Sequence, residues 1–185
     1  MTEPMGYARS NSRYIALVAG LTALYLVYAF SSSTIFGNSI MTLDLFFLIS
    51  ALFTILVSLT GRSWGGTVLG TVNAIILIPS GAPFPVTLAL IPNGIVFDLA
   101  IRTGDRFVEN TSRGHFVIAG ALGSLVMAIS GLSLLFAVGQ SFPAYVWAIA
   151  AVSNILVGAA GALFGTVVVD RIRFRQQKFR LVDKI

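Results

Sequence analysis

The chain has 185 residues, of which 56% are hydrophobic and only 10% are charged, and its mean hydropathy is +0.90. Soluble domains carry about 25% charged residues, so this composition excludes an ordinary soluble enzyme and a disordered chain. The 12 Lys and Arg residues outnumber the 7 Asp and Glu residues. They stand in short stretches between apolar runs, which is typical of membrane topology rather than of nucleic-acid binding.

Six apolar runs predict membrane-spanning helices, because about 20 helical residues cross the hydrocarbon core and shielded spans need fewer. The connection between the third and fourth runs (79–85) contains three prolines, which prevent a continuous helix. These two short runs are predicted as full spans, with a re-entrant pair as the alternative. In chain order the predicted spans cover residues 14–30, 41–60, 64–79, 84–101, 115–138 and 145–169.

The basic residues support the count of six spans, because all of them precede the first span or follow the second, fourth or sixth. They are Arg9, Arg13, Arg62, Arg102, Arg106, Arg113, Arg171, Arg173, Arg175, Lys178, Arg180 and Lys184. The positive-inside rule then places both termini in the cytoplasm. We therefore expect an all-α integral membrane protein, a six-transmembrane-helix bundle forming a single membrane domain. It comprises a cytoplasmic N-terminus (1–13), the bundle (14–169) and a basic cytoplasmic tail (170–185).

The constellations that carry catalysis are missing from the sequence. The single histidine, His115, lies at the start of the fifth span, and there is no Cys, so a metal site of His and carboxylates is not expected. Neither a nucleophile elbow nor a P-loop motif occurs. We predict that the chain is not an enzyme and holds no metal and no cofactor.

Charged residues near the span ends are interpreted as structural. Asp98 and Arg102 are four residues apart and are predicted to pair along one helix face, and Asp170 is predicted to neutralise nearby arginines. The basic tail is assigned a topogenic role, with a contact to anionic lipid or a cytoplasmic partner as the alternative.

Polar residues inside the predicted spans gather in the outer half, where each one is costly in hydrocarbon. Asn73 follows Gly66 and Gly70 on one helix face, and Pro92 predicts a kink beside Asn93 in the middle of span four. Small residues let helices approach closely, so these faces are expected to line the bundle interior. A similar stripe on the sixth span consists of Trp147, Ala151, Asn154, Gly158, Ala162 and Gly165.

Amides, aromatic rings and one carboxylate at this end suit a small, flat, hydrogen-bonding ligand, either uncharged or cationic. The alternative is that the amides only join neighbouring helices. Tyr25 and Tyr28 are instead assigned to the interfacial aromatic belt. The candidate substrate-binding residues are Asn38, Asp44, Asn73, Ser80, Asn93, Gln140, Tyr145, Trp147 and Asn154.

The first span contains Ala16-x-x-x-Gly20 and Ala19-x-x-x-Ala23, two overlapping small-residue pairs that make a smooth face for another helix. With six short spans, cytoplasmic termini and no ATPase motif, this face resembles the substrate-binding S component of energy-coupling factor (ECF) vitamin transporters. Three stretches add to the resemblance: 62–66, 78–83, and 141–145 taken with 154–165. The last two are similar to thiamine-related S components, which recognise thiamine or its hydroxymethylpyrimidine precursor.

The resemblance implies that Ala16, Ala19, Gly20 and Ala23 contact a transmembrane coupling subunit. It implies that a vitamin-like ligand binds from outside and that two cytoplasmic ATPase subunits drive toppling and release inside. It also implies that the chain lies in the lipid bilayer of a bacterial or archaeal plasma membrane and that nucleic acid is not a partner.

Two other functions fit the same residues. A self-contained homo-oligomeric transporter or channel would use the Gly66/Gly70 and Gly161/Gly165 pairs for self-association. A ligand-free membrane scaffold would keep its amides for stability alone.

Overall fold

The computed structural model describes residues 6–36, 43–62, 64–80, 87–104 and 112–182. Within these ranges the chain is helical and contains no strand, which confirms the all-α prediction. A short 3-10 turn, Ile78–Ser80, follows the third helix. The helices are α1 (Gly6–Phe36), α2 (Leu43–Thr60), α3 (Gly65–Leu77), α4 (Leu90–Gly104), α5 (Arg113–Ala137) and α6 (Ala144–Val182).

Four of these helices contain segments long and apolar enough to cross a membrane: Asn11–Ser31, Leu43–Thr60, Arg113–Ala137 and Ala144–Arg175. At 1.5 Å per residue, α3 and α4 reach only about 20 Å and 22 Å, against about 30 Å for the hydrocarbon core. Several long apolar helices are the mark of a membrane protein. Six complete spans and the cytoplasmic placement of both termini stay predictions.

The helices form a ring in which α1 takes the outermost place. Helix α6 packs against α2 and α5, α5 packs against α4, α4 packs against α3, and α3 meets α2 to close the ring. Helix α1 packs only on α2 and α3 among its larger interfaces in the described chain. The core inside the ring includes Ile49, Phe53, Leu69 and Phe97, and the rings of Phe53 and Phe97 lie 5.4 Å apart.

Glycines let the helices of the ring touch backbone to backbone. A Cβ added at Gly70 would lie 3.3 Å from the carbonyl carbon of Leu90, and one at Gly165 would lie 2.7 Å from the carbonyl oxygen of Ala51. The predicted inward face of α3 is therefore confirmed, and so is that of α6 from Asn154 to Gly165, whereas Trp147 in the same stripe is only half-buried. Because neighbouring helices of the same chain fill the Gly66/Gly70 and Gly161/Gly165 seams, self-association would need another surface.

The fourth predicted span contains a turn, and its predicted start at residue 84 lies outside the described residues. Residues 87 and 88 are helical, a turn follows at Ala89, and regular helix starts at Leu90. Pro92 thus lies in the first turn of α4, where its missing N–H disturbs no helical hydrogen bond. The predicted kink in mid-span is corrected to a break at Ala89, and Asn93 stands near the start of α4 rather than at its middle.

Candidate functional site

A carboxylate from α4 caps the first turn of α3. Asp98 is only 1% exposed. One of its oxygens accepts a hydrogen bond from the Gly66 N–H at 3.0 Å, and the other accepts from the Thr67 N–H and hydroxyl, both at 2.7 Å. The first N–H groups of a helix lack partners within the helix and form its positive end. Asp98 therefore satisfies α3 and joins it to α4.

The carboxylate oxygens of Asp98 bond to α3 rather than to Arg102, which acts on Asp98 through its charge. The Arg102 guanidinium lies over the Trp64 ring, 5.0 Å from its centroid. The physical reason is that the open N–H groups of α3 offer the buried carboxylate better hydrogen-bond donors than a side chain that reaches solvent. The i, i+4 spacing on one helix carried no information about this neighbouring helix.

Two more arginines join helix ends at the same end of the bundle. Arg62, which follows α2, donates to the Asn11 side-chain oxygen and lies 4.2 Å from the centroid of the Tyr14 ring on α1. Arg173 on α6 donates to the Ser58 carbonyl oxygen on α2 at 2.7 Å. We call this the basic end of the bundle.

Asp170 on α6 pairs with Arg113, the first residue of α5, at 2.6 Å. This contact confirms that Asp170 neutralises a nearby arginine. Both side chains are largely exposed, and exposed pairs stabilise a fold by about 0.2–1 kcal/mol. The pair adds little stability, but it places the start of α5 at the basic end.

The interior of the ring is polar as well as apolar. Five helices each bury at least one hydroxyl or amide side chain, and we call the six residues named below the polar interior. The Ser50 and Ser124 hydroxyls hydrogen-bond across it at 3.0 Å, joining α2 to α5. Its members are Ser50, Thr54, Asn73, Asn93, Ser124 and Asn154.

The three asparagines of the polar interior have unused hydrogen-bonding capacity. Asn73 is 0% exposed, and neither of its amide atoms has a partner among the described residues. The Asn154 amide N–H donates to the Ala150 carbonyl at 2.8 Å, which leaves its oxygen unpaired in the described chain. The Asn93 nitrogen lies 3.1 Å from the Met127 sulfur, and its oxygen is also unpaired there.

An unpaired buried polar group costs about 1–3 kcal/mol, and native structures keep few of them. Three buried asparagines with unpaired atoms, on α3, α4 and α6, therefore point to a partner that is not part of the described chain. Thr22 on α1 also has a buried hydroxyl without a partner among the described residues.

The other candidate residues lie away from the polar interior. Tyr145 is 65% exposed, and Gln140 is exposed in the turn between α5 and α6. Trp147 is half-buried and packs against a small cluster that includes Leu132 and Leu135. Asn38 lies outside the described residues, and so does the side chain of Ser80.

Asp44 lies in the first turn of α2, where it contacts α1 and is not part of the polar interior. The Tyr28 hydroxyl on α1 is hydrogen-bonded to its carboxylate. Tyr25, assigned from the sequence to an interfacial belt, is instead buried in the core. The belt interpretation of Tyr25 is wrong because α1 turns this face toward α2 and α3.

Sequence reasoning missed the hydroxyls of the polar interior. Ser50 and Thr54 are one turn apart on α2, and the Thr54 hydroxyl donates to the Ser50 carbonyl at 2.9 Å. Their i, i+4 spacing inside an apolar helix indicated that both side chains share one face. It was not used, because serine and threonine hydroxyls often hydrogen-bond to carbonyls of their own helix and then need no partner on another helix. Ser124 gave no such signal, because its partner lies 74 residues away.

The small-residue face of α1 remains uncovered. Ala16, Ala19, Gly20 and Ala23 are all exposed, and a Cβ added at Gly20 would meet nothing within 4 Å. This helix therefore presents to its surroundings the kind of surface that α3 and α6 use for helix contacts inside the ring.

The polar interior offers amide and hydroxyl groups as hydrogen-bond donors and acceptors. Amides and hydroxyls fix the orientation of a ligand through hydrogen bonds. In the described part of the chain, no three His, Cys, Asp or Glu residues come together as a metal site. The chain matches no protein-family model, and no curated protein or solved structure shows significant similarity to it.

Proposed function

We propose that the chain is the substrate-binding subunit of an ECF-type transporter and that a small vitamin-like molecule binds at its polar interior. The observation that carries the proposal is Asn73, a fully buried amide whose two polar atoms are both unpaired among the described residues. Such a group destabilises the empty protein. A ligand that hydrogen-bonds to it removes that cost.

The unpaired atoms define the ligand chemistry. They comprise three carbonyl oxygens, from Asn73, Asn93 and Asn154, and the amino group of Asn73. The six residues of the polar interior include no charged side chain. The nearby carboxylate of Asp98 already accepts hydrogen bonds from α3 with both of its oxygens. This set suits a small uncharged molecule rich in N–H or O–H donors, such as an aminopyrimidine, better than a quaternary thiazolium cation.

The exposed face of α1 supports a role as a subunit. A smooth Ala/Gly face fits a second transmembrane helix closely, and the proposed partner for Ala16, Ala19, Gly20 and Ala23 is the coupling subunit. The basic end is proposed to face the cytoplasm with both termini, as the positive-inside rule requires. Two ATPase subunits bound to the coupling subunit supply the energy for release inside.

A thermal-shift screen of the purified full chain in detergent tests the binding step. A ligand at 100 times its Kd stabilises the folded form by about 2.7 kcal/mol, so a true ligand raises the melting temperature measurably. Aminopyrimidines and thiamine are compared with other vitamins at equal concentration.

The matched variants are Asn154→Leu and Ser153→Ala. Asn154→Leu removes the unpaired oxygen and should abolish the shift. Ser153→Ala should preserve it, because the Ser153 hydroxyl donates only to carbonyls of its own helix. If no vitamin shifts the wild type, or if Asn154→Leu responds as the wild type does, the proposed site is wrong.

A further inference from the structure

The arginines at the basic end fall into two groups. Arg62, Arg102, Arg113 and Arg173 each contact a partner side chain or carbonyl within the chain. Arg171 and Arg175 are exposed and contact no partner among the described residues, although both lie on the same helix as Arg173. The described part of the chain therefore leaves the second pair open to another partner.

Arg171 and Arg175 stand one helical turn apart on the same face of α6. Like charges at this spacing repel and destabilise a helix by a few tenths of a kcal/mol. A single phosphate bound between the two guanidinium groups removes the repulsion and accepts hydrogen bonds from both.

Exposed apolar side chains lie on the same face of α6, N-terminal to this arginine pair. Val167 and Phe164 lie four and seven residues before Arg171, so they share its face, and both are exposed. Phe174, between the two arginines in sequence, is 70% exposed. This surface thus combines two cationic side chains with exposed apolar side chains next to them. A phospholipid, which has both a phosphate and acyl chains, matches this combination better than a free anion does.

The position along the helix agrees with the lipid headgroup region. The segment Ala144–Arg175 is apolar enough to span a membrane until its last turns. The Arg173 contact with Ser58 holds that segment beside the end of α2. Arg171 and Arg175 are thereby fixed where an apolar helix reaches water.

We propose that Arg171 and Arg175 bind the phosphate of an anionic phospholipid whose acyl chain lies along Val167 and Phe164. The site lies on the outer surface of α6, and it does not depend on the ligand proposed for the polar interior. Each basic side chain near an anionic surface contributes about 5-fold to lipid affinity, so the pair contributes about 25-fold.

The test measures lipid retention by the purified full chain in mixed micelles of phosphatidylglycerol and phosphatidylcholine. Wild type should retain phosphatidylglycerol preferentially. Arg171→Gln and Arg175→Gln should each lower that retention about 5-fold, and the double variant about 25-fold. Arg171→Lys/Arg175→Lys keeps the charge and should keep most of the preference.

Two controls complete the experiment. Arg62→Gln removes a basic side chain that Asn11 and Tyr14 already engage within the chain, and it should leave retention within about 2-fold of wild type. Inorganic phosphate at millimolar concentration should not displace the lipid. Equal retention of the two lipids by wild type overturns the proposal, as does unchanged retention in both single Gln variants or displacement by inorganic phosphate.

Discussion

Two motifs of the same type meet opposite environments in this protein. Ala16-x-x-x-Gly20 on α1 is exposed, with nothing near a Cβ added at Gly20. Gly161-x-x-x-Gly165 on α6 presses against the backbone of α2. The spacing predicts that each helix has a smooth face, but it does not tell whether the face contacts the same chain or another one.

The difference follows from what surrounds each helix. Helix α6 lies between α2 and α5 and uses its small residues on both sides. Helix α1 is held at the edge of the ring by Tyr25, which is buried in the core, and by the contacts of Arg62 with Asn11 and Tyr14. A smooth face that the chain leaves uncovered is the surface that the proposed coupling subunit would use.

The largest effect is expected from Gly161→Ala. The new Cβ would lie 2.9 Å from the carbonyl carbon of Phe47 and closer still to its oxygen. Because these are backbone atoms, α2 and α6 must separate, and overpacking of this kind costs about 3 kcal/mol. Thermal unfolding in detergent measures the loss. A melting temperature equal to that of wild type would show that this seam is looser than described.

A smaller loss is expected from Asp98→Asn. The amide keeps one acceptor oxygen, so one N–H of the first turn of α3 loses its partner, and the negative charge at the helix end disappears. We expect a loss of about 1.5 kcal/mol in the free energy of unfolding. Thr67→Val tests the same cap from the other side, since it removes only the hydroxyl donor. Its cost should be the lower of the two, and the reverse order would contradict the capping role.

The smallest effect, of opposite sign, is expected from Gly20→Ala. Alanine favours the helix over glycine by about 0.5–1 kcal/mol, and the added Cβ meets nothing. The isolated chain should melt at the same temperature as wild type or slightly higher. Gly20→Leu should behave similarly in isolation but weaken co-purification with ATPase partners. A clear destabilisation by Gly20→Ala would show that α1 packs more closely than the structure shows.

Much of the fold was predictable because apolar runs report helices directly. The described bounds of α2, α3, α5 and the start of α6 fall within a few residues of the predicted spans. The break in the fourth span was predicted at Pro92, whereas the turn lies at Ala89 and Pro92 falls in the first turn of α4.

The site was less predictable because it depends on contacts between helices. The inward faces of Asn73 and Asn154 followed from their stripes of small residues. The interior hydroxyls and the Asp98 cap did not, because their partners are distant in sequence. Whether the amides bind a ligand stays a prediction.

The most direct test of that prediction is the stability of Asn73→Leu without ligand. Leucine is close to asparagine in shape and has no polar atoms to leave unpaired. If the amide is kept for a ligand, the empty variant should be more stable than wild type by about 1–3 kcal/mol and should show no thermal shift with any vitamin. A loss of stability of similar size would show instead that Asn73 joins helices, and the binding account would then fail.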